Sequence, residues 1–184
     1  MGSLARDLEL RLKDGRAVRV RTARPNDARA LARLLDAVAA EPDSGLLLSP
    51  GEMKARDWKH RVADSRAEPR CLMLVAELDG ALAGNLGLRP DPHPASGHVL
   101  WVGMSVAREA RGLGVGGALL EAAADWAAES GAERLVLGVF PENERAVAFY
   151  ERHGFAREGL RRGQYRRGDE YHDEMLMARP LQRP

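Results

Sequence analysis

The sequence has a single cysteine, Cys71, among its 184 residues. One cysteine excludes an intramolecular disulfide, and the apolar run CLMLVAEL around it predicts a buried strand thiol rather than a nucleophile. No apolar stretch is long enough to cross a bilayer, and the amino-terminal segment lacks the apolar core of a secretion signal. We therefore expect a protein of the reducing cytoplasm that has no membrane partner.

An excess of charge of one sign is also missing, since 28 Lys and Arg residues face 27 Asp and Glu residues. Such a balance gives no overall attraction to nucleic acid. The segment REGLRRGQYRR near the carboxyl end could bind RNA in isolation, but four acidic residues follow it directly, at 169, 170, 173 and 174. A charge-balanced hairpin is the favoured interpretation, and no nucleic-acid partner is expected. No His, Cys and Asp cluster has metal-ligand spacing, so no metal is expected either.

The length fits one compact domain over residues 1–184, and neither a repeat nor a linker divides it. Alternation of apolar and polar residues predicts one hairpin around Asp14-Gly15 and another around Asp79-Gly80. Helical spacing predicts a helix after Pro25-Asn26-Asp27. The capping pattern Ser49-Pro50-Gly51-Glu52 predicts a second helix from there to about Ser65.

In the middle of the chain a strand, HVLWVGMSV, runs through a glycine-rich turn into a proline-free helix that reaches about Ser130. A further strand, ERLVLGVF, precedes a short helix that Gly154 should end. The tail predicts a last antiparallel pair. The resulting class is mixed α/β, with antiparallel hairpins on either side of one crossover helix.

The glycine-rich turn predicts an anion site, because a helix start has unpaired N–H groups and a partial positive charge. It lacks the Gly-Lys-Ser/Thr ending of a nucleotide-binding P-loop. Gly112, Gly114 and Gly117 formally match a dinucleotide fingerprint, but Leu137 stands where that motif needs an acidic residue. A tight strand-helix turn without a ligand remains an alternative.

The run from Arg111 to Gly116 matches Gln/Arg-x-x-Gly-x-Gly/Ala, and with its flanks it resembles the GNAT family of N-acetyltransferases. AELDGALAGNLGLRP is similar to the central hairpin of that family, and ERLVLGVFPENERAVAFYERHGFAREG is similar to its second half. The resemblance covers most of the chain. It implies the acyl-CoA N-acyltransferase fold, which has a mixed, mostly antiparallel central sheet flanked by about four helices, and acetyl-CoA as cosubstrate.

The resemblance also implies the residues of the coenzyme site. The pantetheine arm would bond to the backbone at the end of the strand before the glycine loop, and the diphosphate would lie on the N–H groups of the loop with a cation at its rim. Asn143, which can also cap its helix, would face the coenzyme arm, and Tyr150 would protonate the leaving thiolate. The implied cofactor-binding set is Met104, Ser105, Val106, Arg111, Gly112, Leu113, Gly114, Val115, Gly116, Gly117, Asn143 and Tyr150.

The sequence lacks a general base at the position where many relatives have one. Protein N-terminal acetyltransferases of this family often have a glutamate five residues before the asparagine, where this chain has Gly138. The substitutes that we consider, besides a chain of water molecules, are His98, His172, Asp173 and Glu77. With Tyr150, the candidates for catalysis that we retain are His98 and Asp173.

We expect the acceptor pocket between the first two helices and the last hairpin. Its candidate lining residues are Glu41, Asp43, Trp58, Tyr165, Tyr171 and Asp173, whereas Trp101 and Trp126 are expected in the core. The function that these features favour is N-acetylation of a small-molecule primary amine, such as an amino acid. The alternatives are a protein N-terminal acetyltransferase, a catalytically idle acetyl-CoA sensor and a dinucleotide-dependent reductase. Dimers are common in the family.

Overall fold

The computed structural model describes residues 6–181, and these residues form one eight-stranded sheet with helices on both faces. The strands are β1 Asp7–Arg11, β2 Ala17–Thr22, β3 Leu72–Leu78, β4 Ala81–Pro90, β5 Val99–Val106, β6 Arg134–Val139, β7 Ala156–Arg167 and β8 Glu170–Pro180. The four α-helices are α1 Ala28–Ala39, α2 Ala55–Ala67, α3 Val115–Glu129 and α4 Glu144–Arg152.

The strand order is β1-β2-β3-β4-β5-β6-β8-β7, and every neighbouring pair is antiparallel except β5 and β6. The crossover between these two parallel strands contains α3, because parallel neighbours cannot be joined by a tight turn. Helices α1 and α2 pack against each other, and α3 packs on the strands β2 to β5. The predicted fold class, a mostly antiparallel sheet with one crossover helix, is confirmed.

The two parallel strands are paired over only three residues each. Residues 99–101 of β5 pair with residues 134–136 of β6. Past that point β6 is paired on its other side with β8, and β5 with β4. The sheet therefore opens a gap at its centre, between the carboxyl-terminal halves of β5 and β6.

Both predicted hairpins are present, and Asp79 (φ 52°) and Gly80 (φ 80°) have the two positive φ angles of a tight β3–β4 turn. The prediction for the second helix is wrong at its start. Gly51 has φ 75°, which interrupts a right-handed helix, so α2 begins only at Ala55. The residues 49–52 form a turn instead, closed by a 3.1 Å bond from the Glu52 N–H to the Ser49 carbonyl.

The core lies between the sheet and its helices and includes Trp126, as expected. Cys71 is half-buried and directly precedes β3, so it is not part of the strand. Within residues 6–181, no helix is long and apolar enough to span a membrane.

An ion cluster around the buried Arg21 fastens α1 to the sheet. Arg21 of β2 is only 5% exposed, and its guanidinium donates two 2.8 Å hydrogen bonds to Asp27 and others to Glu77. Burial alone would raise the pKa of Asp27, but the hydrogen bonds from Arg21 and from the Arg24 N–H outweigh it and hold that pKa below 3.8. Removing one member of a buried pair leaves an uncompensated charge, which is costly.

We expect Asp27→Asn to lower the free energy of unfolding by about 2–3 kcal/mol at neutral pH, because the buried Arg21 loses one of its two half-buried partners. Ionised Asp27 stabilises the fold above its unfolded pKa, and this contribution disappears as the pH falls through the lower folded pKa. Urea unfolding should therefore show the full difference at neutral pH and a difference that shrinks as the pH is lowered below 3.8. Asp7→Asn, in the exposed pair with Arg19, should change stability very little; an equal loss in both variants would contradict the argument.

Candidate active site

The glycine loop enters α3 through two residues that need a left-handed backbone. Gly112 has φ 81° and Gly114 has φ 106°, so a side chain at either position would be strained. The first bond of the helix runs from the Ala118 N–H to the Gly114 carbonyl. The preceding N–H groups point out of the helix end, where the helix dipole favours an anion.

Arg111 does not reach out from this loop as a free cation. Its guanidinium donates hydrogen bonds of 2.6 and 2.7 Å to both carboxylate oxygens of Glu41 and one of 2.9 Å to the Val106 carbonyl. Glu41 follows the end of α1, 70 residues earlier in the chain. Arg111 therefore fastens the loop to the end of α1 and β5.

The last two glycines of the motif make room for α4. A Cβ on Gly116 would lie 3.3 Å from the Phe149 ring, and one on Gly117 would lie 3.0 Å from His153 Nε2. These positions are therefore small because of helix packing. Only the first two glycines are required by the conformation of the turn.

Asn143 caps α4, as expected, with its Oδ1 accepting a 3.1 Å bond from the Ala146 N–H. Its Nδ2 points the other way, 2.6 Å from where a Cβ on Gly45 would be. Asn143 thus contacts the segment 40–54, which joins α1 to α2 and passes over the end of β6.

Tyr150 is 8% exposed and packs edge-on against the Phe149 and Phe155 rings. Burial raises the pKa of its hydroxyl to about 12. That hydroxyl has no hydrogen-bond partner among residues 6–181. Tyr150 is consequently a protonated donor at neutral pH with its hydrogen bond unused.

Three glycines form the floor of a groove on one face of the sheet. Gly87 of β4 lies directly opposite Gly103 of β5, and Gly138 of β6 follows two residues after the last β5–β6 pair. A Cβ on Gly103 would meet no atom within 4 Å. Glycine inside a strand commonly marks a close approach by another group, and this signal could have located the groove from the sequence.

A cavity of about 480 Å³ lies over the Gly138 end of this floor. It is lined by Leu47, Arg89, Asp91, Pro92, Trp101, Val102, Gly138, Arg161, Tyr165 and Glu174. Trp101 was expected in the core, but its indole N–H donates a 2.9 Å bond to Asp91 and its ring lies beneath the Arg89 guanidinium at the cavity wall. Next along the floor, Asn85 is 7% exposed and its Oδ1 has no partner among the described residues.

Glu174 occupies the space that Gly138 leaves open. Atoms Cδ and Cγ of Glu174 lie 2.6 and 2.9 Å from the position of a Cβ on Gly138. Glu174 is 5% exposed, and its carboxylate accepts bonds from the Tyr165 hydroxyl (2.7 Å) and from Arg161 (3.1 Å). The sequence interpretation counted Glu174 only among the acidic residues that balance the arginine-rich hairpin, so it did not name Glu174 as a site residue.

The site thus combines three features, which are a strand gap, a helix start facing it and a polar cavity on the sheet. The family model of the Acetyltransferase (GNAT) family matches residues 35–155, which is more than half of the chain. The chain belongs to the GNAT acetyltransferase family. The resemblance inferred from the glycine loop is thereby confirmed.

Two curated relatives illustrate the range within the GNAT family. The mycothiol acetyltransferase of Paenarthrobacter aurescens (strain TC1) is 37% identical over 111 residues, which is 58% of this chain and 34% of that protein. The L-amino acid N-acetyltransferase of Escherichia coli (strain K12) is 32% identical over 66% of this chain and 74% of its own length. The chain spans about a third of the length of the mycothiol acetyltransferases that it matches.

Solved GNAT structures have the same fold. An acetyltransferase from Streptococcus pneumoniae superposes with a TM-score of 0.81 at 27% identity, covering 90% of this chain and 99% of that one. RimJ of Mycobacterium smegmatis, in complex with CoA-disulfide, superposes with a TM-score of 0.75 at 27% identity, covering 95% of this chain and 86% of that one.

The other residues predicted as candidate bases lie apart from one another in the structure. His98 is exposed one residue before β5, six residues and roughly 20 Å from Met104. Asp173 accepts a 2.7 Å bond from the Gly163 N–H, and Glu77 is paired with Arg21. His172 packs its ring on Phe140.

Of the expected pocket residues, Tyr165 lines the cavity, and the others lie elsewhere. Trp58 is in the core, Glu41 is bonded to Arg111, and Tyr171 is 68% exposed. Neither Asp43 nor Asp173 lines the cavity. The arginine-rich hairpin is balanced by acidic partners, as expected, including Glu174 for Arg161 and Asp169 for Arg166.

The Tyr165–Glu174 contact can be tested by titration. Burial and then the hydrogen bond to Glu174 raise the pKa of Tyr165 to about 12. We expect Glu174→Gln to lower that pKa toward its ordinary value of 10.0, because a neutral amide no longer opposes the phenolate charge. Carbon NMR of labelled tyrosine rings measures the shift. Tyr150, whose pKa is raised by burial alone, is the internal control and should not move.

Proposed function

We propose that this chain transfers the acetyl group of acetyl-CoA to the primary amine of a small molecule, and that an amino acid is the favoured acceptor. The observation that carries the proposal is the polar cavity of about 480 Å³ beside the central strand gap. Family membership supports acetyl transfer, and the cavity supports the size of the acceptor.

The residues present fit a coenzyme A thioester. The backbone of Met104, Ser105 and Val106 lies past the last β5–β6 pair, where an extended arm can bond as an added strand. The N–H groups of 112–117 supply the diphosphate site. When bound, acetyl-CoA supplies an activated acyl carbon. The complex of the M. smegmatis relative with a coenzyme A derivative supports this assignment.

Tyr150 would stabilise the leaving thiolate. A phenol with a pKa of about 12 does not give up its proton readily to a thiolate whose conjugate acid has a pKa of about 8.5. Donation of a hydrogen bond is therefore favoured over full proton transfer, and the thiolate takes its proton from solvent. This refines the role that the resemblance implied for the tyrosine.

The charges around the cavity match an amino acid. Arg89 and Arg161 supply cations for a carboxylate, and Asp91 and Glu174 supply anions for an ammonium group. Leu47 lines the cavity, and the neighbouring Leu46 carbonyl accepts a hydrogen bond from Arg167 of β7. This contact narrows the approach between the segment 40–54 and the β7–β8 hairpin, which favours a small acceptor over a polypeptide. The L-amino acid N-acetyltransferase relative agrees with that preference.

The missing glutamate at Gly138 bears on two alternatives. It weakened the case for a protein N-terminal acetyltransferase and motivated that for an idle acetyl-CoA sensor. Both arguments weaken because the Glu174 carboxylate lies over Gly138. The contact between Arg167 and the Leu46 carbonyl beside the cavity is the feature that now opposes the peptide acceptor.

The coenzyme loop is tested by a matched pair of glycines. Gly112 and Gly131 have φ angles of 81° and 82°, and neither has an atom within 4 Å of an added Cβ. Alanine should cost about 1–2 kcal/mol of stability at each. Calorimetric titration with coenzyme A should show about tenfold weaker binding for Gly112→Ala alone, the effect of losing one hydrogen bond to a charged group. Equal affinities in the two variants would contradict the assignment of the loop.

The acceptor is tested by thiol release from acetyl-CoA across a panel of amines. We expect L-amino acids to react faster than alkylamines without a carboxylate, and short peptides to react slowest. Coenzyme A binding without thiol release from any amine would favour the sensor.

The role of Tyr150 is tested by its phenylalanine variant. Tyr150→Phe should lower kcat by about 100-fold, the effect of losing one hydrogen-bond donor to the developing charge, and should retain coenzyme A affinity.

A further inference from the structure

We propose that Glu174 is the general base, supplied by β8 to the place that Gly138 of β6 leaves empty. The inference rests on the proposed function, because it needs an amine acceptor in the cavity. Glu174 lies on β8, whereas the glutamate that the family resemblance implies would stand on β6 at position 138.

The fit between the Glu174 side chain and the space beside Gly138 supports this role. Gly138 is exposed in the middle of the sheet, and the Glu174 side chain fills the volume of its missing side chain. A larger residue at Gly138 would displace this carboxylate, so the two positions depend on each other.

Two hydrogen bonds that fix the orientation of the Glu174 carboxylate also support this role. Tyr165 and Arg161 each donate a hydrogen bond to one oxygen of the carboxylate, Oε1 and Oε2 respectively. Each carboxylate oxygen has a second acceptor site, so an ammonium group in the cavity can still bond to it. The charged and titratable groups near Glu174 are Arg161 and Tyr165 on β7, Arg89 on β4, Asp91 after β4, and His172 on β8.

The protons balance in this assignment. A primary ammonium group has three protons, of which the amide product keeps one. Glu174 takes the first and returns it to solvent, and the freed amine forms a bond to the acetyl carbon as its bond to sulfur breaks. The second proton leaves the nitrogen for solvent, and the thiolate, hydrogen-bonded by Tyr150, takes up one proton. One proton is released in each turnover.

The test is the pH profile of kcat/KM for the best amine of the panel. Glu174→Gln should lower kcat/KM by about 10²–10⁴-fold at neutral pH. The deficit should shrink as the pH approaches the pKa of the chosen amine, because the amine is then largely unprotonated and needs no base. Glu170→Gln makes the same change on the exposed end of the same strand and should leave the profile unchanged.

Two further variants separate catalysis from folding. Gly138→Ala keeps Glu174 but pushes its carboxylate aside, and it should reproduce the slow, pH-dependent profile. Gly138→Glu combined with Glu174→Ala returns a carboxylate to the same place from β6, and it should exceed Glu174→Ala alone by about tenfold or more. Thermal unfolding confirms that each variant is folded.

The outcomes distinguish the two proposals. A fully active Glu174→Gln, or a deficit that stays constant with pH, would overturn the role of Glu174 and leave the proposed function intact. Wild-type protein that releases no thiol with any amine would overturn the proposed function and Glu174 as its base together. The proposal for Glu174 would be established if Glu174→Gln showed a deficit in kcat/KM that shrinks with rising pH and if Gly138→Glu restored activity to Glu174→Ala.

Discussion

The divergence of β5 and β6 is the constraint on which the rest of the site depends. The strands are paired over three residues each and then separate. Backbone N–H and C=O groups in the middle of a sheet are costly when unpaired, so the gap favours an extended ligand that bonds to it. The carboxyl ends of parallel strands lie at the same edge of a sheet. The glycine loop after β5 and Asn143 after β6 therefore meet at the open end.

Contacts between distant parts of the chain complete the site around this gap. Arg111 fastens the loop to Glu41, and Arg167 fastens the β7–β8 hairpin to Leu46, 121 residues away in sequence. Asn143 contacts the same segment, 40–54, near Gly45. This segment thus connects the glycine loop and Asn143 to the β7–β8 hairpin, although it contains none of the family motifs.

The sequence predicted the scaffold well, because hairpin turns and helix periods are local signals. The turn at Asp79-Gly80, the loop into α3 and the end of α4 at Gly154 lie where the pattern indicated. The start of α2 was mispredicted because the capping pattern at Ser49 could not show that Gly51 takes a positive φ. The role of Arg111 was likewise hidden, since its partner Glu41 is distant in sequence.

The sequence by itself determined the fold class, the family and the glycine-rich turn into α3, because each depends on residues that are close together in the chain. It also showed that the expected glutamate is absent at Gly138. Only the tertiary structure brought Glu174 over that position and placed Trp101 at the wall of a cavity. The physical reason is strand pairing: β8 lies beside β6, so a side chain 36 residues later can occupy the space that glycine leaves.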